Sequence, residues 1–270
     1  MINRLKIAIP IIAVITVALF WLPCLAHTIF FLVILRTLWE FYRLLYKHEQ
    51  RTFMVCYLLF SALYLLVVIN SEANVSTSMM IAGFFGVFII QSFDRKNEDG
   101  ISKMGLTFFG FFYITYLGSY IIQLYHLKGS SENYGALMVF YSITIVKWSD
   151  ATAYFGGRLF GKHKLIPRIS PNKSWEGLAC GMVGAVVPVV FFLARLPEFS
   201  FFKALVFCLL LGLTSILGDL GESMIKRELN VKDAADDIPG FGGTLDMADS
   251  LLTSLPVAYW FIVLTGSHAL

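Results

Sequence analysis

Nine long apolar runs dominate the chain, near residues 7–22, 24–46, 52–70, 77–93, 104–126, 135–157, 177–195, 201–225 and 247–265. A helix needs roughly 20 apolar residues to cross the hydrocarbon core of a bilayer, within a range of about 17–25. Barrel strands would instead read as alternating segments of about ten residues, and these runs are longer and continuously apolar. The expected fold is all-α: a polytopic integral membrane protein with about nine transmembrane helices. Composition agrees. Hydrophobic residues make up 57% of the 270-residue chain and charged ones 14%, with mean hydropathy +0.73, against about 25% charged residues in an ordinary soluble domain. A globule of this size could not hide so much apolar surface from water. Soluble and disordered chains are both excluded.

Cys24, Cys56, Cys180 and Cys208 are scattered through apolar stretches with no paired spacing, so they read as small packing residues and not as a disulfide scaffold. The formal charge of +3 is too small to suggest nucleic-acid binding. The first run follows Arg4 and Lys6 as a signal peptide would. However, Leu22-Pro23-Cys24 has no small-residue cleavage pattern and apolar sequence resumes at once. It reads as the first arm of a tight hairpin through Pro23.

Loop cations set an orientation. With the N-terminus in the cytoplasm, sixteen Lys and Arg fall on the cytoplasmic side: Arg4, Lys6, Arg43, Lys47, Arg51, Arg95, Lys96, Lys103, Arg158, Lys162, Lys164, Arg168, Lys173, Lys226, Arg227 and Lys232. Only Lys128, Arg195 and Lys203 fall opposite. That asymmetry predicts an N-in, C-out topology. Residues 1–134 form an aromatic-rich N-terminal group of membrane helices and read as packing. Within it Arg36 and Glu40, four apart, are spaced to pair on one helix face. Residues 135–270 form the second group and carry charge where a plain anchor would not.

Each ionisable residue at the centre of a span costs about 2.5–3.5 kcal/mol on a translocon-type scale, so several together call for a reason. Three stripes recur at helical spacing: Lys147, Asp150, Tyr154 and Arg158; Asp219, Glu222, Ser223 and Lys226; and Asp246, Asp249, Ser250 and Thr253. The topology puts all three at one cytoplasmic depth, as if around a shared cavity. Two loops add to them: a basic stretch (Lys162, Lys164, Arg168) leading into Ser170–Gly177, and Pro239-Gly240-Phe241-Gly242-Gly243 before the last span. Glycines let backbone N–H groups approach phosphate oxygens, and a helix start adds positive potential. Carboxylates, cations and a glycine-rich turn together suit a magnesium-dependent phosphate enzyme. A proton-coupled transporter would use buried Asp and Lys but has less need of the basic loops. The five histidines are dispersed, with His163 alone near the site as a loop residue, and no Ser-His-Asp arrangement is visible.

The run from Ser223-Met224-Ile225-Lys226-Arg227 through Lys232-Asp233 to Pro239-Gly240-Phe241-Gly242-Gly243-Thr244-Leu245-Asp246-Met247-Ala248-Asp249 resembles the signature of phosphatidate cytidylyltransferases. Trp148-Ser149-Asp150, Ala153-Tyr154, Gly157-Arg158 and Ser170–Gly177 are similar to that family's other shared stretches. The resemblance covers about residues 145–255 strongly. It implies a membrane enzyme, often a homodimer through its N-terminal region, that makes CDP-diacylglycerol and pyrophosphate from CTP and phosphatidate. It further implies Mg²⁺, as two divalent ions, with a monovalent cation such as K⁺ as a further partner. Asp219, Asp246 and Asp249 map to metal-holding and catalytic positions, and Lys226 to a catalytic cation facing phosphate. Lys173, Arg158, Arg227, Ser223, Gly242 and Gly243 map to substrate contacts. Asp150, Glu222 and Asp233 map to partners that orient the cations. Phe241, Met247 and Asn172 stand where the family commonly has His, Arg and Lys, so the roles of those residues are not carried over. A CTP-dependent kinase of a polyprenol-type lipid and a non-enzymatic transporter are the competing readings. Compact size and the lack of a long N-terminal extension point to a bacterial plasma membrane with the active site cytoplasmic.

Overall fold

The computed structural model describes residues 2–50, 52–70, 73–94, 99–129, 131–196, 199–231, 234–235 and 242–266, without the side chains of 2–9, 11 and 73–76. Among the topology-setting cations, Arg51, Arg95, Lys96 and Lys232 lie outside these residues. Every apolar run of the sequence coincides with helix: α1 (Ile2–Trp21), α2 (Pro23–Lys47), α3 (Met54–Asn70), α4 (Ala73–Ser92), α5 (Gly100–Gly110) continued by α6 (Leu117–Tyr125), α7 (Tyr134–Phe160), α8 (Trp175–Val186) followed by α9 (Val189–Arg195), α10 (Phe201–Glu228) and α11 (Thr244–Leu264). Five stretches among the described residues are long and apolar enough to cross a membrane: 23–47, 100–125, 175–195, 201–228 and 244–264. Residues 12–21, 54–70 and 77–92 are shorter apolar helices. The protein is an all-α polytopic membrane protein.

Two compact units make up the fold, one of Met1–Gln123 with Asp233–Ala248 and the other of Leu124–Lys232 with Asp249–Leu270. The first is built on consecutive helix neighbours, α1 against α2, α2 against α3, α3 against α4 and α4 against α5. Its interior is aromatic: Phe111 is fully buried among the rings of Tyr57, Phe60, Tyr64 and Phe108, with centroids 5.2–6.1 Å away. Edge-to-face and tilted pairs of this kind add about 0.5–1.5 kcal/mol beyond burial. Buried hydroxyls find acceptors here, Tyr42 donating to the Thr107 carbonyl at 2.6 Å and Thr115 to Ser61 Oγ at 3.1 Å. Between α5 and α6, residues Phe111–Tyr116 form one turn of π-helix. A Cβ on the preceding Gly110 would lie 2.7–2.8 Å from the rings of Tyr42 and Phe41, so α2 packs tightly against this point.

In the second unit α7 and α8 form the most extensive helix pair, and α10 packs on both. Small residues allow it: a Cβ on Gly177 would lie 2.9 Å from the Ala153 carbonyl, and one on Gly181 3.0 Å from Ala153 Cβ. With lipid outside, close backbone approach and interhelical hydrogen bonds carry such packing. Ser149 accordingly donates to the Gly181 carbonyl at 3.1 Å, and Thr253 of α11 to the Thr214 carbonyl of α10 at 2.8 Å. The basic loop after α7 is not irregular. It forms an antiparallel ribbon of β1 (Lys164–Ile166) and β2 (Ser170–Ser174), with Lys164 opposite Ser174 and Ile166 opposite Ser170. Ser174 then caps α8 by accepting the Gly177 amide at 3.1 Å, which is the N-cap role expected of Ser.

Candidate active site

The second unit holds a cavity of about 550 Å³ between the end of α7, the β-ribbon, the start of α8 and the middle of α10. Asp150, Arg158, Lys173 and Asp219 line it, as the sequence spacing suggests, and with them Tyr154, Lys164, Ser170 and Asn172. The volume falls within the range of small-molecule sites, about 300–1,000 Å³. Helical spacing turns Tyr154 and Arg158 onto one face of α7, and the ribbon folds Lys164 and Lys173 back toward the same space. Lys173 Nζ pairs with Asp219 Oδ2 at 2.8 Å. Lys164 belongs to the basic stretch visible in the sequence, but only the ribbon brings it to the cavity.

Asp219 also belongs to a group of three carboxylates. One oxygen from each of Asp219, Glu222 and Asp249 lies within 4.8 Å of the others, Asp219 half-buried and the other two buried. Two features bring them together. Asp219 and Glu222 share a face of α10 at i, i+3. One residue earlier, Gly218 lets α11 in so closely that a Cβ there would lie 2.5 Å from the Asp249 carbonyl oxygen. Lys226, one turn beyond Glu222, pairs with it at 2.7 Å, and both side chains are largely buried. Metal–oxygen distances of about 2.0–2.6 Å put oxygens around one hard cation about 3–5 Å apart. The cluster therefore fits a single divalent ion in both spacing and donor type.

Behind the cluster, Asp150 accepts from Ser215 and, at 2.9 Å, from Ser250 Oγ, and pairs with Lys147 at 3.4 Å. The Ser250 hydroxyl also lies 2.9 Å from Asp249 Oδ1, whose oxygen takes the Ser250 amide at 2.6 Å. Ser250 thus links Asp150 to Asp249, a role its place in the third stripe hints at but does not specify. Arg227 points its Nε at the Ile169 carbonyl, 3.1 Å away, pinning the end of α10 to the ribbon's turn. Ser223 is half-buried on α10. Glu176, in the first turn of α8, accepts from the amides of Lys162 and His163 at 3.1–3.2 Å and meets His163 Nδ1 at 2.6 Å, which anchors the loop's entry.

Gly242, Gly243 and Asp246 lie in the first unit. Gly242 has φ +84°, where a side chain is strained, and the next amide, Gly243 N–H, donates to Asp246 Oδ2 at 2.8 Å. Ala234 N–H donates to the same oxygen at 3.0 Å. Met247 is half-buried on α11, whereas Asp233 and Phe241 lie outside the described residues.

Carboxylates grouped within one cation's reach, beside a cavity lined by Lys and Arg, make an arrangement suited to metal-assisted phosphate chemistry in a membrane protein. The profile of the cytidylyltransferase family matches residues 2–265. Phosphatidate cytidylyltransferase of Bacillus subtilis (strain 168) is 36% identical over 197 residues, 72% of this chain and 71% of that one. The proteins of the same name from Haemophilus influenzae and Mycobacterium leprae are 39% and 42% identical. Those two matches span 47% and 48% of this chain, and 46% and 42% of those relatives. The chain belongs to the cytidylyltransferase family, and it is a nucleotidyltransferase.

Proposed function

We propose that the protein is a phosphatidate cytidylyltransferase, joining CTP and phosphatidate to give CDP-diacylglycerol and pyrophosphate for phospholipid synthesis. The observation that carries this reading is the carboxylate group of Asp219, Glu222 and Asp249 at the edge of a Lys- and Arg-lined cavity, in a chain matched by the family profile along nearly all its length. In the reaction a phosphate oxygen of phosphatidate forms a bond to the α-phosphorus of CTP. The bond from that phosphorus to the oxygen bridging to the β-phosphate breaks in line, and pyrophosphate departs. A phosphate monoester is largely dianionic at neutral pH, its second pKa being about 6, so no side chain has to take a proton from the nucleophile.

Positioning and charge neutralisation are then the protein's main tasks. Arg158, Lys164 and Lys173 supply cations to the cavity for the triphosphate, with Arg227 and Ser223 of α10 for the lipid phosphate. Lys226, held by Glu222, faces the transferring group. Asp219, Asp246 and Asp249 hold Mg²⁺, two ions in our reading, with K⁺ as a further partner; Glu222 completes the donor set. Bound there, the metal would neutralise phosphate oxygens and the departing pyrophosphate. Asp150 and Asp233 orient the neighbouring cations; Gly242 offers its amide to phosphate, whereas the Gly243 amide expected to do the same is taken by Asp246 Oδ2 and shapes the turn instead. The enzyme works as a homodimer through residues 1–134, with the catalytic residues in 135–270. It sits in a bacterial inner membrane with its N-terminus and active site cytoplasmic, and it takes no nucleic acid.

The deciding experiment supplies purified protein with phosphatidate, Mg²⁺ and CTP labelled at the α-phosphate. Label should enter the lipid, and Asp246→Asn should abolish the incorporation while the protein still elutes as a folded species. Transfer of γ-label alone would mark a lipid kinase. Solute movement in liposomes without nucleotide consumption would mark a transporter. Family membership favours neither alternative.

A further inference from the structure

Glu40 lies in α2, far in sequence from every residue assigned to the site, and its side chain is only 1% exposed. Oε1 pairs with Arg36 at 3.3 Å, while Oε2 accepts the Leu245 amide at 3.0 Å. That amide is one of the first four of α11, which have no acceptor within their own helix. One turn back on α2, the Thr37 hydroxyl donates to Thr244 Oγ1 at 3.3 Å. Gly243 gives an independent sign of the same docking. Its φ is not among the positive ones, so backbone conformation does not demand glycine there, yet a Cβ would meet Glu40 Oε2 at 2.6 Å. Two carboxylates thus hold the start of α11: Asp246 from its own first turn, and Glu40 from a helix some two hundred residues away.

We infer that Glu40 is a positioning residue for cytidylyl transfer, seating the glycine-rich turn on α2 and so fixing the Asp246 carboxylate and the turn's amides. The inference rests on the function proposed above. Glu40 needs an acceptor oxygen for this role more than it needs charge. Glu40→Ala should lower kcat about tenfold or more, the scale of a small misplacement at a reacting centre, with the KM for CTP changed much less. Glu40→Gln, which keeps an acceptor for the Leu245 amide, should restore most of the rate.

Amide hydrogen exchange over residues 242–248 should quicken in Glu40→Ala and stay near wild type in Glu40→Gln, a readout that does not depend on turnover. Gly243→Ala should resemble Glu40→Ala, and the double variant should be no worse than Glu40→Ala, because the carboxylate that the new methyl strikes is gone. Wild-type kcat in Glu40→Ala, faster exchange without loss of rate, or losses that multiply in the double variant would each overturn the assignment. If Glu40→Ala cannot be recovered folded, Glu40→Gln and Gly243→Ala still decide, and full activity in Gly243→Ala refutes it. A wild-type chain that makes no CDP-diacylglycerol removes the proposed function instead. An active wild type with an unimpaired Glu40→Ala removes only the role of Glu40.

Discussion

The two units employ their carboxylates differently. In the first, Glu40 and Asp246 accept backbone amides at the start of α11, with 2.8–3.0 Å contacts to Leu245, Gly243 and Ala234. In the second, Asp219 and Glu222 face ammonium groups, and together with Asp249 they converge on one point. A carboxylate that accepts backbone amides shapes a turn. Carboxylates gathered within a few ångströms repel one another, and that repulsion is relieved by a cation. Charge inside a membrane protein can therefore shape the backbone in one place, as Glu40 does, and gather for a cation in another; Asp246, which holds its turn and is proposed to hold metal, does both.

The sharpest test of that contrast is Asp249→Asn. It should cut kcat by about 10³-fold or more, as expected when a metal-holding charge is lost at a transferring phosphate, while elution on gel filtration is unchanged. A loss below tenfold in the labelled-CTP assay would erase the distinction between the units. Lys173→Ala removes the cavity cation paired with Asp219 and should lower kcat/KM about 10–100-fold, the worth of a charge-assisted contact, mostly through KM for CTP. Steady-state kinetics with varied CTP would expose an effect on kcat alone.

Smaller effects should follow elsewhere. Gly242→Ala places a side chain at φ +84°, at a cost of about 1–2 kcal/mol, to be read as a fall in thermal midpoint in detergent. An unchanged midpoint would mean that the turn does not need its left-handed residue. His163→Ala should matter least, within about twofold in rate, since Glu176 keeps the amides of Lys162 and of residue 163 and exposed pairs contribute about 0–1 kcal/mol. A large loss there would give the ribbon's anchor a direct part in catalysis.

Much of this was legible before any coordinates. Apolar runs announce their helices because a bilayer demands length and continuity, and the nine runs all became helix. Charges at three- and four-residue spacing announced the faces that meet at the site, Asp150 with Arg158 at the cavity and Asp219 with Glu222 in the carboxylate group. Three things were not legible. Gly110 looks like any helical glycine, and nothing in Phe111–Tyr116 announces a π turn. The ribbon of Lys164–Ser174 carries two prolines and several polar residues, which read as loop. Glu40 looked like half of an i, i+4 ion pair with Arg36, and it is; its second oxygen reaches a residue that only folding brings near. Local periodicity reports which face a residue occupies. It does not report what waits on the other side.

The length of α10 has a consequence for the bilayer itself. Twenty-eight residues make a rod of about 42 Å, longer than a hydrocarbon core of about 30 Å. Counting from Phe201, Asp219 lies about 27 Å along the rod and Lys226 about 37 Å. For a helix standing near the membrane normal with its first turn at one face, the acidic group falls at the opposite boundary and Lys226 in the headgroup layer. The helix is then a gauge of membrane thickness, holding its charges where a lipid phosphate and a water-borne nucleotide can meet. Longer host acyl chains would draw those charges into oil, and shorter ones would lift them clear of the lipid they serve.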